Sequence, residues 1–569
     1  MYKEDIKPVI YQVLPRLFGN TATANVPDGT LEQNGSGKMN CFDSNVLKAF
    51  VSLGVTHIWY TGIQRHALKT DYTEYGIPRC NPHVVKGVAG SPYAIIDYYD
   101  VDPDIAVDVN NRMREFDDLV ARTHAAGLKV IIDFVPNHVA REYRSIACPA
   151  GTPQLGDGDD NTRAFAPDNN FYYLPGQQFA PHFDIGRGQD DEYIENPARA
   201  TGNDCFTASP GEGDWFETVK LNYGVDYTGG SGNHFDPIPD TWRKMLDIIL
   251  FWATHRVDGF RCDMVHMVPP EFWHWAIGQV KEVYPELIFI AEIYDPNLYR
   301  RYLDYAGFDY LYDKVGLYDT LVAVTRDERP ASDITHCWQA LEGFADRMLN
   351  FLENHDEVRI ASPFFAGNAA NAIPALVVSA TLNRAPFMLY FGQELGEPGT
   401  DAEGYSGMNG RTTIFDHWSI DTLRRWYNRG RCNPARLTDD ERNLRKFYRR
   451  LLHIVNGKRP IVWGKMYDLM YCNGDRLNTR RHFAYLRHHD NEVILVVANF
   501  DNHPARLDIN IPDHVIDFMN VNRGRFTAKE LLGGTAEKEI LFDGSIPFHV
   551  EVEPHNAVMW YWRATKNKK

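Results

Sequence analysis

The chain has 569 residues, of which 44% are hydrophobic and 24% are charged, so one small domain and a largely disordered chain are both excluded. Its 59 basic and 76 acidic residues give a net charge of -17. Phosphate backbones and anionic membranes are therefore poor partners for the whole molecule, and we expect neither a nucleic acid nor a membrane partner, although a local basic cleft is not excluded.

Up to about residue 457, short apolar runs alternate with longer segments of helical period, as is typical of βα units around a parallel sheet. The segments Arg112 to Ala126 and Trp242 to His255 are long enough to serve as crossover helices. The predicted strands are Val9 to Leu14, Val55 to Tyr60, Lys129 to Phe134, Gly259 to Asp263, Leu287 to Glu292, Phe308 to Tyr312, Met348 to Leu352 and Pro386 to Phe391. These eight strands predict an α/β fold, a closed (β/α)8 TIM barrel.

Two segments depart from this alternation. Roughly a hundred residues after the third strand are rich in Gly, Asp, Asn and aromatic residues, and a structureless loop of that length is uncommon. We therefore expect an inserted domain at the C-terminal face of the barrel. After the predicted helix Asp439 to Val455, strands and turns alternate as in an antiparallel β-sandwich. The predicted division is a barrel at 1–137 and 236–457, an inserted domain at 138–235 and a C-terminal β-sandwich at 458–569.

The eight cysteines are scattered without a Cys-x-x-Cys pair, which favours reduced thiols in a cytoplasmic protein. The N-terminal segment MYKEDIKPVIYQVLPRLFGN carries acidic residues where a signal peptide has a basic patch and an apolar segment. No apolar run approaches the ~20 residues that cross a bilayer. We therefore expect a cytoplasmic protein.

Polar side chains follow four of the predicted strands, where barrel enzymes place their catalytic residues. They are Asp133, Asn137 and His138 after the third strand, Arg261 and Asp263 at the fourth, Glu292 at the fifth, and His355 and Asp356 after the seventh. Any one of these residues alone is more simply explained as a helix cap or an ion-pair partner. The occurrence of all four groups in order indicates a site.

The chemistry of these residues suits glycoside hydrolysis. Arg261 and Asp263 are two residues apart on one strand and share a face, so the guanidinium can keep the carboxylate ionised. Glu292 follows an apolar strand and is expected near other acids, and both conditions raise the pKa of its carboxyl group. A carboxylate that attacks and a carboxylic acid that donates a proton are the pair that cleaves glycosidic bonds.

The segments DFVPNH, GFRCD, IAEIYD and FLENHD resemble the four ordered motifs of the α-amylase superfamily, glycoside hydrolase family 13. The predicted inserted domain and C-terminal sandwich also match the layout of that family. The resemblance implies that Asp263 is the nucleophile, Glu292 the general acid and base, and Asp356 the acid that stabilises the transition state. It assigns sugar-binding positions to His138, Arg261 and His355, makes Tyr93 in SPYAIIDYYDVDP the stacking platform, and makes Asp97 and Asp133 scaffold residues.

Three features differ from the family pattern. His266 and Met267 stand where the family usually has Lys-His, so the side chains that touch the aglycone sugar are altered. VKLNYG stands where many members have a Pro-Asp-Leu segment with a calcium-binding aspartate; that position is Lys220 or Asn222. Asn137 remains a candidate calcium ligand, and structural calcium is an open question. SPYAI resembles the equivalent run of some maltosyl-transferring relatives more than it resembles the usual Gly-Tyr-Trp, so transfer to a sugar acceptor competes with hydrolysis.

The sequence therefore predicts a retaining enzyme that cleaves α-1,4 bonds of starch-like glucans or maltodextrins by double displacement, without a cofactor for the chemistry. We expect the two reacting carboxyl groups to lie about 5 to 5.5 Å apart. His266, Arg411 and Trp418 are further candidates for substrate contact, and Glu394 is interpreted as structural. One alternative is a transglycosylase of the maltosyl or glucanotransferase type. The other is a non-catalytic carbohydrate-binding or scaffold protein on the same barrel.

Overall fold

The computed structural model describes residues 6–534 and 536–565. The predicted domain division starts at residue 1 and ends at residue 569, and its two ends, residues 1–5 and 566–569, lie outside the described residues.

Eight parallel strands form a closed barrel in which each strand pairs with the next in sequence and the last pairs with the first. The strands are β1 (Val9–Val13), β2 (His57–Tyr60), β3 (Lys129–Phe134), β4 (Gly259–Cys262), β5 (Ile288–Ala291), β6 (Tyr310–Tyr312), β7 (Met348–Phe351) and β8 (Phe387–Tyr390). Nearly all of their residues are buried, because helices cover the outside of the barrel and side chains fill its interior. The predicted (β/α)8 barrel is confirmed.

The α-helices of the barrel region follow the predicted alternation. The longer ones are Ser44–Leu53, Arg112–Ala125, Asp240–Thr254, Pro270–Val283, Asp319–Thr325, Asp333–Ala340, Ile373–Thr381, Asp421–Tyr427 and Asp439–Gly457, and short ones span Leu31–Asn34 and Arg459–Val462. The helix Asp439–Gly457 begins with a capping box, in which Thr438 and Glu441 each bond the other's backbone N–H. The predicted crossover helices are confirmed to within two residues at each end.

The segment between β3 and the helix Asp240–Thr254 consists of short antiparallel pairs and loops. The pairs are His138–Ala140 with Thr218–Lys220, Tyr173–Leu174 with Ala198–Arg199, and Val225–Asp226 with Gly232–Asn233. In the first pair, the strand that follows β3 bonds to a strand from the later part of the segment. A small apolar cluster that includes Leu174, Phe179 and Tyr193 lies within the segment. A further pair, Gln64–His66 with Ile95–Val101, lies between β2 and β3. We propose that 138–235 forms the inserted domain.

The C-terminal region is antiparallel. Its strands are β9 (Lys465–Asp468), β10 (His482–His489), β11 (Glu492–Asn499), β12 (Ala505–Ile509), β13 (Gly524–Glu530), β14 (Glu537–Phe542), β15 (Phe548–Val552) and β16 (Asn556–Arg563). Six of them form a sheet in the order β9-β10-β11-β16-β13-β14, and β12 pairs with β15. A helix, Asp513–Met519, follows β12. Alternate residues of β12 and β15 are buried, as in a β-sandwich, which confirms the predicted C-terminal architecture.

Among the helices of residues 6–534 and 536–565, none has both the length and the apolar composition that crossing a membrane requires.

Candidate active site

A cavity of about 520 Å³ opens where the barrel strands end. Asp263 and Glu292 come directly after the last residues of β4 and β5, so the parallel strands bring both carboxyl groups to the same mouth. Seven of the predicted site residues line this cavity: Tyr93, His138, Asp263, Glu292, His355, Asp356 and Arg411. Residues far apart in the sequence thus meet in one cleft.

Arg261 lies beneath the cavity and joins two of its carboxylates. Its guanidinium is 0% exposed, with Nη1 at 2.7 Å from Asp263 Oδ1 and Nη2 at 2.8 Å from Glu292 Oε2. Nη1 also lies 3.5 Å from Asp133 Oδ1. Because one rigid, planar group contacts both Asp263 and Glu292, it fixes the positions of the two carboxylates relative to each other.

Aromatic rings hold this guanidinium in place. It lies 5.3 Å from the ring centroid of Trp59, 5.2 Å from that of Tyr93 and 5.7 Å from that of Tyr312. Its Nε donates a hydrogen bond of 3.2 Å to the hydroxyl of Tyr312. The ring faces attract the positive charge and exclude water from it, so the arginine serves as a fixed positive centre under the cleft.

Glu292 is the more strongly oriented of the two carboxyl groups. The backbone N–H of Met264 donates to its Oε2 at 2.8 Å, and the hydroxyl of Tyr294 donates to its Oε1 at 2.5 Å. Met264 has a left-handed backbone with φ 43° and lies in the turn between β4 and the short 3-10 helix Val265–Met267. The turn after β4 therefore positions the acid that follows β5.

Burial and neighbouring charges set the protonation of this pair. Burial raises the pKa of Glu292, Arg261 lowers it and the charge of Asp263 raises it. Burial also raises the pKa of Asp263, while Arg261 and a hydrogen bond with Glu292 lower it. The two groups titrate together. Acid catalysis next to a nucleophilic carboxylate requires a proton on Glu292 beside an ionised Asp263.

Asp356 and His355 form the wall opposite this pair. His355 Nε2 lies 3.1 Å from Asp356 Oδ2, and the amide Nε2 of Gln12 donates to His355 Nδ1 at 2.9 Å. The histidine therefore carries its proton on Nε2, because Nδ1 accepts. Burial lowers the pKa of His355 well below its usual value, so the ring is neutral. Burial and then the charge of Glu292 raise the pKa of Asp356 to about 6.

Tyr93 lies flat against His355, with ring centroids 5.0 Å apart and an angle of 19° between the rings. Its hydroxyl donates to Asp133 at 3.3 Å, and Trp59 Nε1 donates to the other oxygen of that carboxylate at 2.9 Å. Burial raises the pKa of Asp133 to about 7. Asp133 is not among the residues that line the cavity, whereas Tyr93 presents an aromatic face there.

The predicted calcium position contains an ammonium group. Lys220 Nζ donates to Asn137 Oδ1 at 2.7 Å and lies 2.6 Å from Asp204 Oδ1. These residues do not fit a calcium ion, because the oxygen that Asn137 would offer to the metal is held by a positive charge. In the described ranges 6–534 and 536–565, no three or more His, Cys, Asp or Glu side chains are grouped to hold a metal.

His266, a predicted substrate contact, is not among the residues that line the catalytic cavity. It lines a separate cavity of about 260 Å³ together with Met267. The left-handed turn at Met264 leads into a short 3-10 helix, Val265–Met267. The ring of His266 lies edge-on to that of Tyr294, which lines the catalytic cavity, with ring centroids 6.5 Å apart. Contact between His266 and the aglycone sugar stays a prediction.

Three further residues considered in the sequence, Arg411, Trp418 and Glu394, differ in exposure and in whether they line the cavity. Arg411 lines the cavity and is exposed. Trp418 is buried outside the lining, and its Nε1 donates to Asp401 at 3.0 Å. Glu394 is also buried, where it accepts hydrogen bonds from Tyr11 and Arg445.

Several lining residues had no role in the prediction. Tyr294 lies two residues after Glu292 in IAEIYD, and this spacing on an extended segment was a usable signal. Trp215 packs against His138, with ring centroids 5.1 Å apart, and Lys86 pairs with Glu217 at 3.0 Å. Trp215 and Lys86 lie in irregular loops. The sequence of such a loop has no hydrophobic periodicity, so it does not indicate which side chains face the cleft.

Comparison with known proteins adds independent information. The family profile for the alpha amylase catalytic domain matches residues 12–154 and 237–466, which is more than half of the chain. Alpha-amylase 3 of Dictyoglomus thermophilum is 22% identical over 464 residues, covering 78% of this chain and 81% of that protein. The alpha-1,4-glucan:maltose-1-phosphate maltosyltransferase of Cereibacter sphaeroides is 31% identical over 131 residues, covering 20% of this chain and 22% of that protein.

A solved structure shares the fold over nearly the full length. The cyclic alpha-maltosyl-(1→6)-maltose hydrolase of Arthrobacter globiformis, in complex with cyclic alpha-maltosyl-(1→6)-maltose, superposes with a TM-score of 0.61 at 17% identity. The match covers 98% of this chain and 98% of that one.

Proposed function

Because the chain belongs to the alpha-amylase family and is a glycoside hydrolase, we propose that it cleaves α-1,4-glucosidic bonds of starch-like glucans or maltodextrins with retention of configuration. One observation carries this proposal: the guanidinium of Arg261 holds the carboxylates of Asp263 and Glu292 at 2.7 and 2.8 Å, in a cavity that also contains Asp356. Because one guanidinium contacts both groups, the two carboxyl groups are neighbours, and retention requires them to lie about 5 to 5.5 Å apart.

The reaction proceeds in two displacements. In the first, a carboxylate oxygen of Asp263 attacks the anomeric carbon, and the glycosidic oxygen leaves with the proton of Glu292. In the second, the Glu292 carboxylate removes a proton from water, the water oxygen attacks the same carbon, and the bond to Asp263 breaks. Two inversions at one carbon give a product of retained configuration.

The other lining residues bind and orient the sugar. Asp356 places negative charge near the ring that becomes cationic in the transition state, and the proton on Nε2 of His355 faces the same region. Tyr93 offers an aromatic face for stacking at the floor, and Trp215 offers one at the wall formed by the inserted segment. A wall of aromatic faces and charged hydrogen-bonding groups suits a neutral sugar with many hydroxyl groups.

The named ligands of related proteins support an α-glucan substrate. The Arthrobacter globiformis hydrolase of the same fold was solved with a cyclic maltosyl-maltose. The cavity of about 520 Å³ is open at one side, so a chain can continue beyond the glucosyl unit at Asp263. We therefore propose malto-oligosaccharides or longer α-glucans as substrates.

Transfer to a sugar acceptor is the second candidate function. It is supported by the match to the Cereibacter sphaeroides maltosyltransferase. In that reaction the hydroxyl of an acceptor sugar replaces water in the second displacement. Longer oligosaccharides that accumulate when an acceptor is added would favour transfer over hydrolysis.

We propose that no calcium ion is bound at Asn137. The buried ammonium of Lys220 supplies the positive charge there and joins Asn137 to Asp204. We also propose a cytoplasmic location, which is supported by the eight cysteines, none of which is in a disulfide.

Replacing Asp263 by asparagine tests the catalytic proposal. The variant should release no reducing ends from maltodextrin while its circular dichroism spectrum stays unchanged, because asparagine has the same shape but cannot form the glycosyl ester. The matched control is Asp190→Asn, at an exposed position outside the cavity, which should keep the wild-type rate. Near wild-type turnover of Asp263→Asn would refute the assignment, and an initial β-anomeric product seen by NMR would refute retention.

A further inference from the structure

A further cavity, of about 440 Å³, lies between the helices Ser44–Leu53 and Asp439–Gly457. It shares no lining residue with the catalytic cleft. Its basic lining residues are Lys48, Arg431, Arg442, Arg445, Lys446 and Arg449, and its lining contains no acidic residue. A concave surface with this charge stands out in a protein whose net charge is -17.

The helical sequence directs these charges to one place. Arg442, Arg445, Lys446 and Arg449 follow the i, i+3, i+4, i+7 spacing, which places them on one face of their helix. Asn45, Lys48, Ala49 and Ser52 have the same spacing on the facing helix. Two helix faces therefore line the cavity with donors, and Leu53 and Leu437 add apolar surface.

Only part of this positive charge is neutralised by the protein. Arg445 pairs with Glu394 at 3.0 Å, and Arg442 pairs with Asp439 at 2.5 Å. The side chains of Lys48, Arg431, Lys446 and Arg449 form no ion pair or hydrogen bond with any residue in the described part of the chain. Like charges on adjacent helix turns destabilise a helix, and a bound anion would relieve this repulsion.

We propose that this basic cavity binds a small ligand that carries two or more phosphate groups, such as a triphosphate. A phosphate monoester carries about -1.5 to -2 charge at pH 7, so two or three such groups match the unpaired cations. The forked guanidinium groups of Arg431 and Arg449 suit phosphate oxygens, and Asn45 and Ser52 add neutral donors. The walls of the cavity and the overall negative charge favour a compact anion over a nucleic acid strand.

Isothermal titration of the full chain with sodium tripolyphosphate tests this proposal. We expect saturable binding at low ionic strength that weakens as salt is added, because exposed charges are screened. Replacing Lys446→Glu together with Arg449→Glu should weaken binding by about tenfold or more, since two attractive charges become repulsive. The single variant Arg431→Glu, on a loop, gives a second measurement that does not alter the long helix.

The matched control is Arg114→Glu with Arg243→Glu, which changes the net charge by the same amount at exposed helix positions outside this cavity. The control should bind tripolyphosphate within about twofold of wild type if the site is local. Equal weakening in both double variants, or no saturable binding by the wild-type chain at millimolar tripolyphosphate, would overturn the proposal. Tighter binding of a single-stranded RNA than of tripolyphosphate would also overturn it, and inorganic sulfate should bind more weakly than tripolyphosphate.

Discussion

Replacing Lys220 by methionine tests whether an ammonium group holds the base of the inserted segment. The lysine is 2% exposed, and its Nζ binds Asn137 Oδ1 at 2.7 Å and Asp204 Oδ1 at 2.6 Å. Asn137 is 1% exposed, so its oxygen loses its partner at a cost of about 1–3 kcal/mol. The side chain of Asp204 is 46% exposed, so its pair with the lysine adds only about 0–1 kcal/mol.

The loss is partly offset, because methionine removes the cost of burying an ammonium while keeping the packing of the aliphatic chain. We therefore expect Lys220→Met to lower the free energy of unfolding by about 1–3 kcal/mol. The measurement is the apparent Tm by differential scanning fluorimetry, together with KM for maltodextrin. KM should rise, because Lys220 pairs in register with His138, which lines the cleft.

Lys244→Met is the matched control. Lys244 is also buried, and its Nζ contacts an asparagine and an aspartate in the same way, at 2.8 Å from Asn170 Oδ1 and 2.6 Å from Asp240 Oδ2. It does not line the catalytic cavity. Both variants should lower Tm, but only Lys220→Met should raise KM.

Calcium provides the decisive comparison. Lys220→Asp puts a carboxylate beside Asn137 and Asp204, so its Tm should rise with added calcium and fall with EGTA. The wild-type chain should respond to neither. Loss of wild-type activity in EGTA that calcium restores would refute the reasoning, and so would a Lys220→Met variant with unchanged Tm and KM.

Two further predictions concern the cleft. Trp215→Ala should raise KM for maltodextrin by about 2- to 10-fold, because stacking on an aromatic ring contributes about 0.5–1.5 kcal/mol; an unchanged KM in initial-rate assays would contradict this. Tyr294→Phe should shift the high-pH limb of kcat/KM to higher pH. The tyrosine hydroxyl lowers the pKa of Glu292, so its removal raises that pKa and keeps the acid protonated at higher pH. A pH–rate profile with that limb unmoved or shifted to lower pH would contradict the assigned acid.

The barrel could be predicted from the sequence because its strands are continuous apolar runs buried on both faces. All eight predicted strands are present, with ends that differ by at most two residues, as expected where strands continue into loops. The same regularity located Asp263 and Glu292, since residues at the carboxyl ends of parallel strands must meet at one mouth.

Other parts of the site could not be predicted from local patterns. Met264, just before His266, has a left-handed backbone, and a non-glycine residue gives little sign of that conformation in the sequence. The sequence therefore could not show that His266 lines a neighbouring cavity beside Tyr294. The basic cavity could not be predicted from local sequence patterns either. The spacing of the arginines in the helix Asp439–Gly457 is visible in the sequence, but Lys48, nearly four hundred residues earlier, meets them only in the folded chain.

The hydrogen bonds of Glu292 indicate which of its oxygens carries the proton. Oε2 accepts the N–H of Met264 at 2.8 Å and lies 2.8 Å from the positively charged Nη2 of Arg261, and both contacts disfavour a proton on this oxygen. We therefore propose that the proton is carried by Oε1, which is near the hydroxyl of Tyr294. On this proposal, the leaving glycosidic oxygen, and later the incoming water or sugar hydroxyl, meets Glu292 on the side of Tyr294. We propose that the groups beside Tyr294 influence the balance between hydrolysis and transfer, and the ring of His266 is one of them, with its centroid 6.5 Å from that of Tyr294.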